Sequence, residues 1–191
     1  MEITIGVSNR HVHLTEESYK KLFGDAPLEC IKEINQPGQF SSNQKVTIKT
    51  DKDKMDNVRI LGPLRVYNQV EISKTDAFKL GLNPPVRDSG NLAGSEKITL
   101  IGPNGELTLE EGCIIANRHI HITPSQMKEF GFDGLTKVKI KLNGEKGGII
   151  DNVYLKVAEA SFFELHIDTD DGNGHLVNQG DICTIITDNE N

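Results

Sequence analysis

The sequence predicts a mainly β protein built from two small, related β-barrel domains with short helical caps. Three observations carry that expectation. Apolar residues alternate with period two, as in Ile3, Ile5 and Val7, or Val138, Ile140 and Leu142, the pattern of strands with one buried face. Hydrophobic residues make up 36% of the chain and aromatics 5%, with no Trp, so the core must be mostly Ile, Val and Leu, which favour strands. An octad also occurs twice, as Ser8-Asn9-Arg10-His11-Val12-His13-Leu14-Thr15 and Ala116-Asn117-Arg118-His119-Ile120-His121-Ile122-Thr123. A chain of 191 residues suits one domain or two small ones, and the repeat favours two.

In chain order, Ile3 to Val7 reads as the first strand. Thr15-Glu16-Glu17-Ser18 then caps a helix to Phe23. Val46 and Ile48 mark a strand, followed by strands over 58–61 and 66–72. A helix over 75–80 ends at Gly81. Strands follow over 97–101, 107–109 and 112–116. Thr123-Pro124-Ser125-Gln126 starts a third helix to Phe130. Val138 to Leu142 and the segments 148–157, 162–167 and 182–187 complete the strands. Pro37-Gly38, Gly62-Pro63, Pro103-Asn104-Gly105, Asn143-Gly144 and Gly172-Asn173-Gly174 supply the turns. Many short strands with few, short helices point to barrels rather than an α/β sheet.

Each octad places two histidines at i and i+2, on the same face of a strand, where they can share one metal ion. Four of the six histidines lie in these two pairs. Histidines also serve as half-buried polar residues, but packing alone does not ask for the same Asn-Arg and Thr around them twice. Each half also carries Asp-Asn-Val, at Asp56-Asn57-Val58 and Asp151-Asn152-Val153, and thirteen residues beyond each Val stand Glu71 and His166. Five histidines and one glutamate can hold two metals. Imidazole with carboxylate suits Zn²⁺, with Co²⁺, Mn²⁺ or Ni²⁺ possible. So few ligands per ion leave open positions, the mark of catalysis or substrate ligation.

Arg65 follows the Gly62-Pro63 turn, which brings it out near Glu71. Its fork suits a phosphate or carboxylate, though a surface ion pair is the commoner fate of an arginine. Arg10 and Arg118 alternate with the histidines, so they face away from the metals and read as structural ion-pair partners. The rigid turn Pro84-Pro85-Val86-Arg87-Asp88-Ser89-Gly90 shapes either the pocket or a subunit contact. Cys30, Cys113 and Cys183 form no CxxC and read as buried or semi-buried thiols. A net charge of −7 excludes a general nucleic-acid footprint. With no signal peptide and no apolar run long enough for a membrane span, a soluble cytoplasmic protein is expected.

GVSNRHVHLT, QPGQF, ILGPLR, QVEIS, PPVRDSG, ANRHIHITP and LHIDTDDGN occur in order along nearly the whole chain. Together they resemble the PduL-type phosphate acyltransferases, or phosphotransacylases. The resemblance implies transfer of a short acyl group, acetyl or propanoyl, between coenzyme A and phosphate. It implies two β-barrels with a two-zinc site at their junction: a first domain over 10–117, and a second over 118–191 completed by the N-terminal strand 1–9. By the same resemblance His11 and His13 bind one zinc, while Glu71, His119, His121 and His166 bind the other. Arg65 holds phosphate, and Ser8, Lys32, Arg59, Leu61 and Asn173 contact CoA. A homodimer is also implied. No side-chain nucleophile is needed or evident, so direct transfer without an acyl-enzyme is expected.

The encapsulation extension of microcompartment members is absent, which favours a free cytosolic enzyme in fermentative acetate metabolism over propanediol breakdown. Asp171-Gly172-Asn173-Gly174-His175 is richer in glycine than the family pattern, which loosens the loop around Asn173 and leaves His175 exposed. Two other readings remain. A zinc-dependent acyl-CoA thioesterase would need no phosphate. A non-catalytic metal-binding module would show no affinity for CoA.

Overall fold

A computed structural model of the chain describes residues 1–187; the last four residues of the expected 118–191 domain, 188–191, lie outside the described residues. The elements in order are β1 (Glu2–Ser8), β2 (His11–His13), α1 (Glu16–Phe23), β3 (Cys30–Glu33), β4 (Phe40–Lys49), β5 (Lys54–Gly62), β6 (Gln69–Glu71), α2 (Lys74–Leu80), β7 (Val86–Arg87), β8 (Glu96–Gly102), β9 (Gly105–Ala116), β10 (His119–Ile122), α3 (Pro124–Glu129), β11 (Lys137–Leu142), β12 (Gly148–Val157), β13 (Glu164–Asp168), α4 (Thr169–His175) and β14 (Ile182–Ile186). They fall into two compact units. One is Asn9–Ala116; in the other, Met1–Ser8 joins the chain from Asn117 onward.

In the unit Asn9–Ala116, β4, β5, β2, β6, β9 and β8 pair in a closed ring, because β8 pairs both β9 and β4. Val12 of β2 lies beside Ile60 of β5 and Val70 of β6, and all three are fully buried in one core with Leu14, Leu22, Ile48 and Leu100. Alternation then sends the neighbouring residues of these strands to the opposite face. Thr15 caps α1 by accepting from the Ser18 N–H. Ser73 and Asp76 form a capping box on α2, closed at Gly81 in the left-handed region.

In the other unit β1, β13, β10, β12, β11 and β14 form a closed barrel. Strand β1 runs parallel to β13 and antiparallel to β14, so the first residues of the chain close a ring otherwise made from its last third. Ile5, Leu165 and Ile120 share one row across β1, β13 and β10 and are fully buried. Among the described residues no helix is long and apolar enough to cross a membrane.

Several local expectations differ. The segments expected over 107–109 and 112–116 are one strand, β9, because β8 pairs along it from Gly102–Gly105 to Glu96–Cys113; Glu110 and Glu111 simply face solvent. The strand expected over 66–72 shrinks to Gln69–Glu71, and Val66 is 95% exposed. The glycine-rich Gly172-Asn173-Gly174 is helical within α4. Asp168 caps it from the Asp171 N–H, and Arg118 grips Asp171 with two bonds of 2.7 Å, so tertiary contacts override weak propensity. Cys30 is exposed, whereas Cys113 and Cys183 are buried. His175 is half-buried and meets the Lys146 carbonyl at 3.0 Å.

Both octad arginines are structural. Arg10 makes two bonds to Asp76, at 2.9 and 2.6 Å, as Arg118 does to Asp171. Asp76 and Asp171 each lie five residues beyond Glu71 and His166, so the repeat extends into the following helix. Asp76→Ala removes both bonds to Arg10 and half of a capping box. The side chain of Arg10 is a third exposed, and water recovers part of the loss. We expect a cost of about 2 kcal/mol, with Asp76→Asn costing less. Chemical denaturation measures it, and an unchanged midpoint for Asp76→Ala would show that the pair is not structural.

Candidate functional site

Since Val12, Ile60 and Val70 point into the core, the residues flanking them share the other face of β5, β2 and β6. His11 lies opposite Arg59 on one side and Glu71 on the other, and His13 opposite Gln69. His11 Nε2 is 3.4 Å from Glu71 Oε2 and His13 Nε2 is 4.0 Å from Glu71 Oε1. The ring of His11 meets that of His13 edge-on, with centroids 4.9 Å apart.

His11 Nδ1 donates to the Asn9 carbonyl at 2.8 Å. This turns Nε2 toward the cluster, the way metal-ligating histidines are held. Asn9 Oδ1 accepts from the Arg10 N–H, fixing the turn that aims the carbonyl. Burial, followed by the positive charges of His11 and Arg65, pushes the His13 pKa down to about 2, so its imidazole is neutral near pH 7. Burial also disfavours charge on His11, but Glu71 and the Asn9 carbonyl outweigh it and raise its pKa. Two buried imidazoles and a carboxylate whose ligand atoms all lie within 4.8 Å of one another fit a divalent cation.

The unit containing β10 repeats the arrangement. Ile120 and Leu165 point into its core, so His119 and His121 face outward on β10, and Glu164 and His166 do so on β13. His119 lies opposite His166, and His121 opposite Glu164. His119 Nδ1 contacts the Asn117 carbonyl at 2.8 Å, the same bond as at His11. The Nε2 atoms of His119 and His121 are 3.2 Å apart. Two metal–nitrogen bonds of about 2.05 Å at a tetrahedral angle span about 3.3 Å, so the spacing is already that of two ligands on one ion. The ligand atoms of His119, His121 and His166 all lie within 4.8 Å of one another, as do those of His11, His13 and Glu71. Glu71, which the resemblance assigns to the second histidine pair, lies against the first.

Arg65 is anchored by its backbone N–H, which donates to the Leu14 carbonyl at 2.8 Å. Its guanidinium donates to Tyr67 Oη at 2.8 Å, Ser89 Oγ at 3.2 Å and Gln39 Oε1 at 3.2 Å. All three partners are neutral, so its charge stays available to an anion. Gln69 Nε2 bonds Glu71 Oε1 at 2.5 Å and Ser89 Oγ at 2.8 Å, and its Oε1 accepts the Gly90 N–H. Ser89 thus joins Arg65 to the carboxylate beside His11 and His13. The rigid turn over 84–90 therefore supplies this network.

Of the five expected CoA contacts, Lys32 and Leu61 both lie opposite Ser41, and Arg59 lies two residues before Leu61 on the same face of β5. Arg59 also donates to the Ser42 carbonyl at 2.6 Å. Ser8 and Asn173 belong to the other unit, Ser8 opposite Asp168 at the end of β1 and Asn173 exposed in α4. Gln39, Tyr67, Gln69, Ser89 and Glu164 carry no role in the sequence reading. Gln69 and Glu164 had a readable signal: each stands two residues before a candidate ligand on the same strand, and so shares its face.

A family model described as phosphate propanoyltransferase matches residues 4–178. The phosphate propanoyltransferase of Thermotoga maritima is 47% identical over 186 residues, which is 96% of this chain and 89% of that protein. That of Rhodopseudomonas palustris is 42% identical over 185 residues, 96% of this chain and 82% of that protein. That of Citrobacter freundii is 44% identical over 172 residues, 90% of this chain and 82% of that protein.

Proposed function

We infer the reaction from one premise: the chain belongs to the phosphate propanoyltransferase family, and it is an acyltransferase of the phosphotransacylase type. We propose that it interconverts a short acyl-CoA, acetyl or propanoyl, and phosphate with acyl phosphate and CoA. Two divalent ions, Zn²⁺ in the first instance, assist. The observation that carries this reading is the Arg65 network, a guanidinium with neutral partners tied through Ser89 to the carboxylate of a metal-binding group.

His11, His13 and Glu71 would hold one ion, and His119, His121 and His166 the other. When bound, the ions supply positive charge that polarises the thioester carbonyl and stabilises the oxyanion of the transition state. Arg65 orients phosphate, lowering the entropic part of the barrier. A phosphate oxygen adds to the carbonyl carbon, the carbon–sulfur bond breaks, and the phosphate proton ends on CoA. Lys32 and Arg59 offer positive charge to the CoA phosphates, and Leu61 offers an apolar edge; Ser8 and Asn173 complete this set by resemblance. Two of the three thiols are withdrawn from nucleophilic chemistry: Cys113 and Cys183 lie in the barrel cores, and burial pushes both up to about 12. Cys30 is exposed, and direct transfer requires that Cys30→Ala keep wild-type turnover. A homodimer and a cytoplasmic location belong to the same reading, tested by sedimentation and cell fractionation.

The test is thioester formation from acetyl or propanoyl phosphate and CoA, followed by ultraviolet absorbance, after chelation and again with Zn²⁺ restored. Chelator-sensitive and zinc-restored activity supports the reading. Phosphate-independent hydrolysis of acyl-CoA as the sole activity would instead make the chain a thioesterase. Intersecting rather than parallel double-reciprocal plots are expected for direct transfer. Lys32→Ala should raise KM for CoA about threefold to tenfold with kcat unchanged; an unchanged KM would take Lys32 out of the site.

A further inference from the structure

Each unit carries a square of four side chains on the outer face of two adjacent antiparallel strands. Across β2 and β6 the corners are His11, His13, Gln69 and Glu71. Across β10 and β13 they are His119, His121, Glu164 and His166. The histidine pairs correspond, and the second strand reads Gln69-Val70-Glu71 in one unit and Glu164-Leu165-His166 in the other. Each square therefore holds one carboxylate, placed at opposite ends of the equivalent strand. We propose that Glu164 is a further ligand of the divalent cation held by His119, His121 and His166, making that site three imidazoles and one carboxylate. The proposal rests on the metal-dependent reading above.

Three observations carry it. Glu164 is on the outer face of the barrel, since Leu165 is in the core, yet it is only 3% exposed. A carboxylate so withdrawn from water must be compensated by charge or hydrogen bonds. Its Oε2 lies 2.8 Å from His166 Nε2, and the ring of His166 is 5.2 Å from His119 and 4.7 Å from His121 between centroids. Bonds of about 2.05 and 2.1 Å at a right angle span about 2.9 Å, and at a tetrahedral angle about 3.4 Å. The oxygen–nitrogen spacing is short enough for both atoms to reach one ion. Finally, Gly6 lies opposite His166 on β1, and a Cβ there would stand 2.9 Å from His166 Cδ2 and 3.1 Å from the Glu164 carboxyl carbon. The strand leaves room for both groups by carrying no side chain.

The experiment strips the full chain of metal and titrates it with Zn²⁺ and with Co²⁺ against a chromophoric chelator, with metal content measured independently. Wild type should bind two equivalents. Glu164→Gln keeps the size of the side chain and an acceptor for His166. It should weaken one equivalent at least about tenfold and alter the Co²⁺ visible spectrum, leaving the other equivalent unchanged. Glu71→Gln should weaken the other equivalent. Gly6→Ala, which retains every ligand but crowds Glu164 and His166, should weaken the same equivalent as Glu164→Gln. Two equivalents of wild-type affinity in Glu164→Gln would overturn the proposal while leaving the metal-dependent reading standing. No metal bound by wild type would overturn both.

Discussion

Arg65→Ala should keep both metal equivalents and lower phosphate-dependent turnover about 10²–10³-fold, the usual loss when a preorganised charge is taken from a transition state. The structure gives three reasons. The arginine is fixed at its backbone by the Leu14 carbonyl, so little entropy remains to be lost on binding an anion. Its guanidinium is already ordered by Tyr67, Ser89 and Gln39, which hold it without cancelling its charge. The ring of Tyr67 lies 5.7 Å from the guanidinium carbon, which shields one face and strengthens electrostatics there. Arg65→Lys keeps the charge but not the fork, and should restore only part of the rate. Initial rates at varied phosphate concentration measure the effect. Wild-type kcat and KM for phosphate in Arg65→Ala would remove the assigned role.

Glu71→Ala should lose one metal equivalent, weakened at least about a hundredfold, with turnover falling on the order of 10³-fold. The carboxylate is 3.4 Å from one imidazole and 4.0 Å from the other, and it supplies the only negative charge of that square. Its removal also frees Gln69 and Ser89, whose hydrogen bonds end on Glu71 Oε1, so the arginine loses order as well. Glu71→Asp should retain more metal than Glu71→Ala. Metal content after gel filtration decides it: two tightly held equivalents in Glu71→Ala would strike Glu71 from the ligand set.

Much of the fold was legible because period-two alternation is a direct record of which face is buried. The repeated octad gave the histidines, their common face and the helix caps at Thr15 and Thr123. The matched Asp-Asn-Val offsets gave Glu71 and His166; Asn57 and Asn152 both sit at positive φ, so the motif marks the same bend in each unit. The bonds between distant residues were not legible. Ser89 reaches Arg65 across 24 residues and Gln69 across 20, and no local pattern encodes such a pairing. The helix over Gly172 and Gly174 was hidden for the same reason, since its stability comes from Arg118, 53 residues away from Asp171. The short β3 and β7 carry too little alternation to be seen.

The pairing of β1 with both β13 and β14 has a consequence for the order of synthesis. On the ribosome the stretch 9–116 emerges as one continuous piece and can mature as soon as it is clear of the exit tunnel. The barrel that needs residues 1–8 has to wait. Its strand β1 is made before that stretch, and its partners β13 and β14 only after it. Until then an unpaired, apolar-edged ribbon stays open to wrong partners. A circular permutant in which Met1 follows the described end of the chain, with new termini between Ser8 and Asn9, would encode that barrel as one uninterrupted segment. The Met1 amino group already sits 3.4 Å from the Ile185 carbonyl, so the splice needs little added length. Such a gene should shorten the wait and raise the yield of soluble protein on expression at elevated temperature.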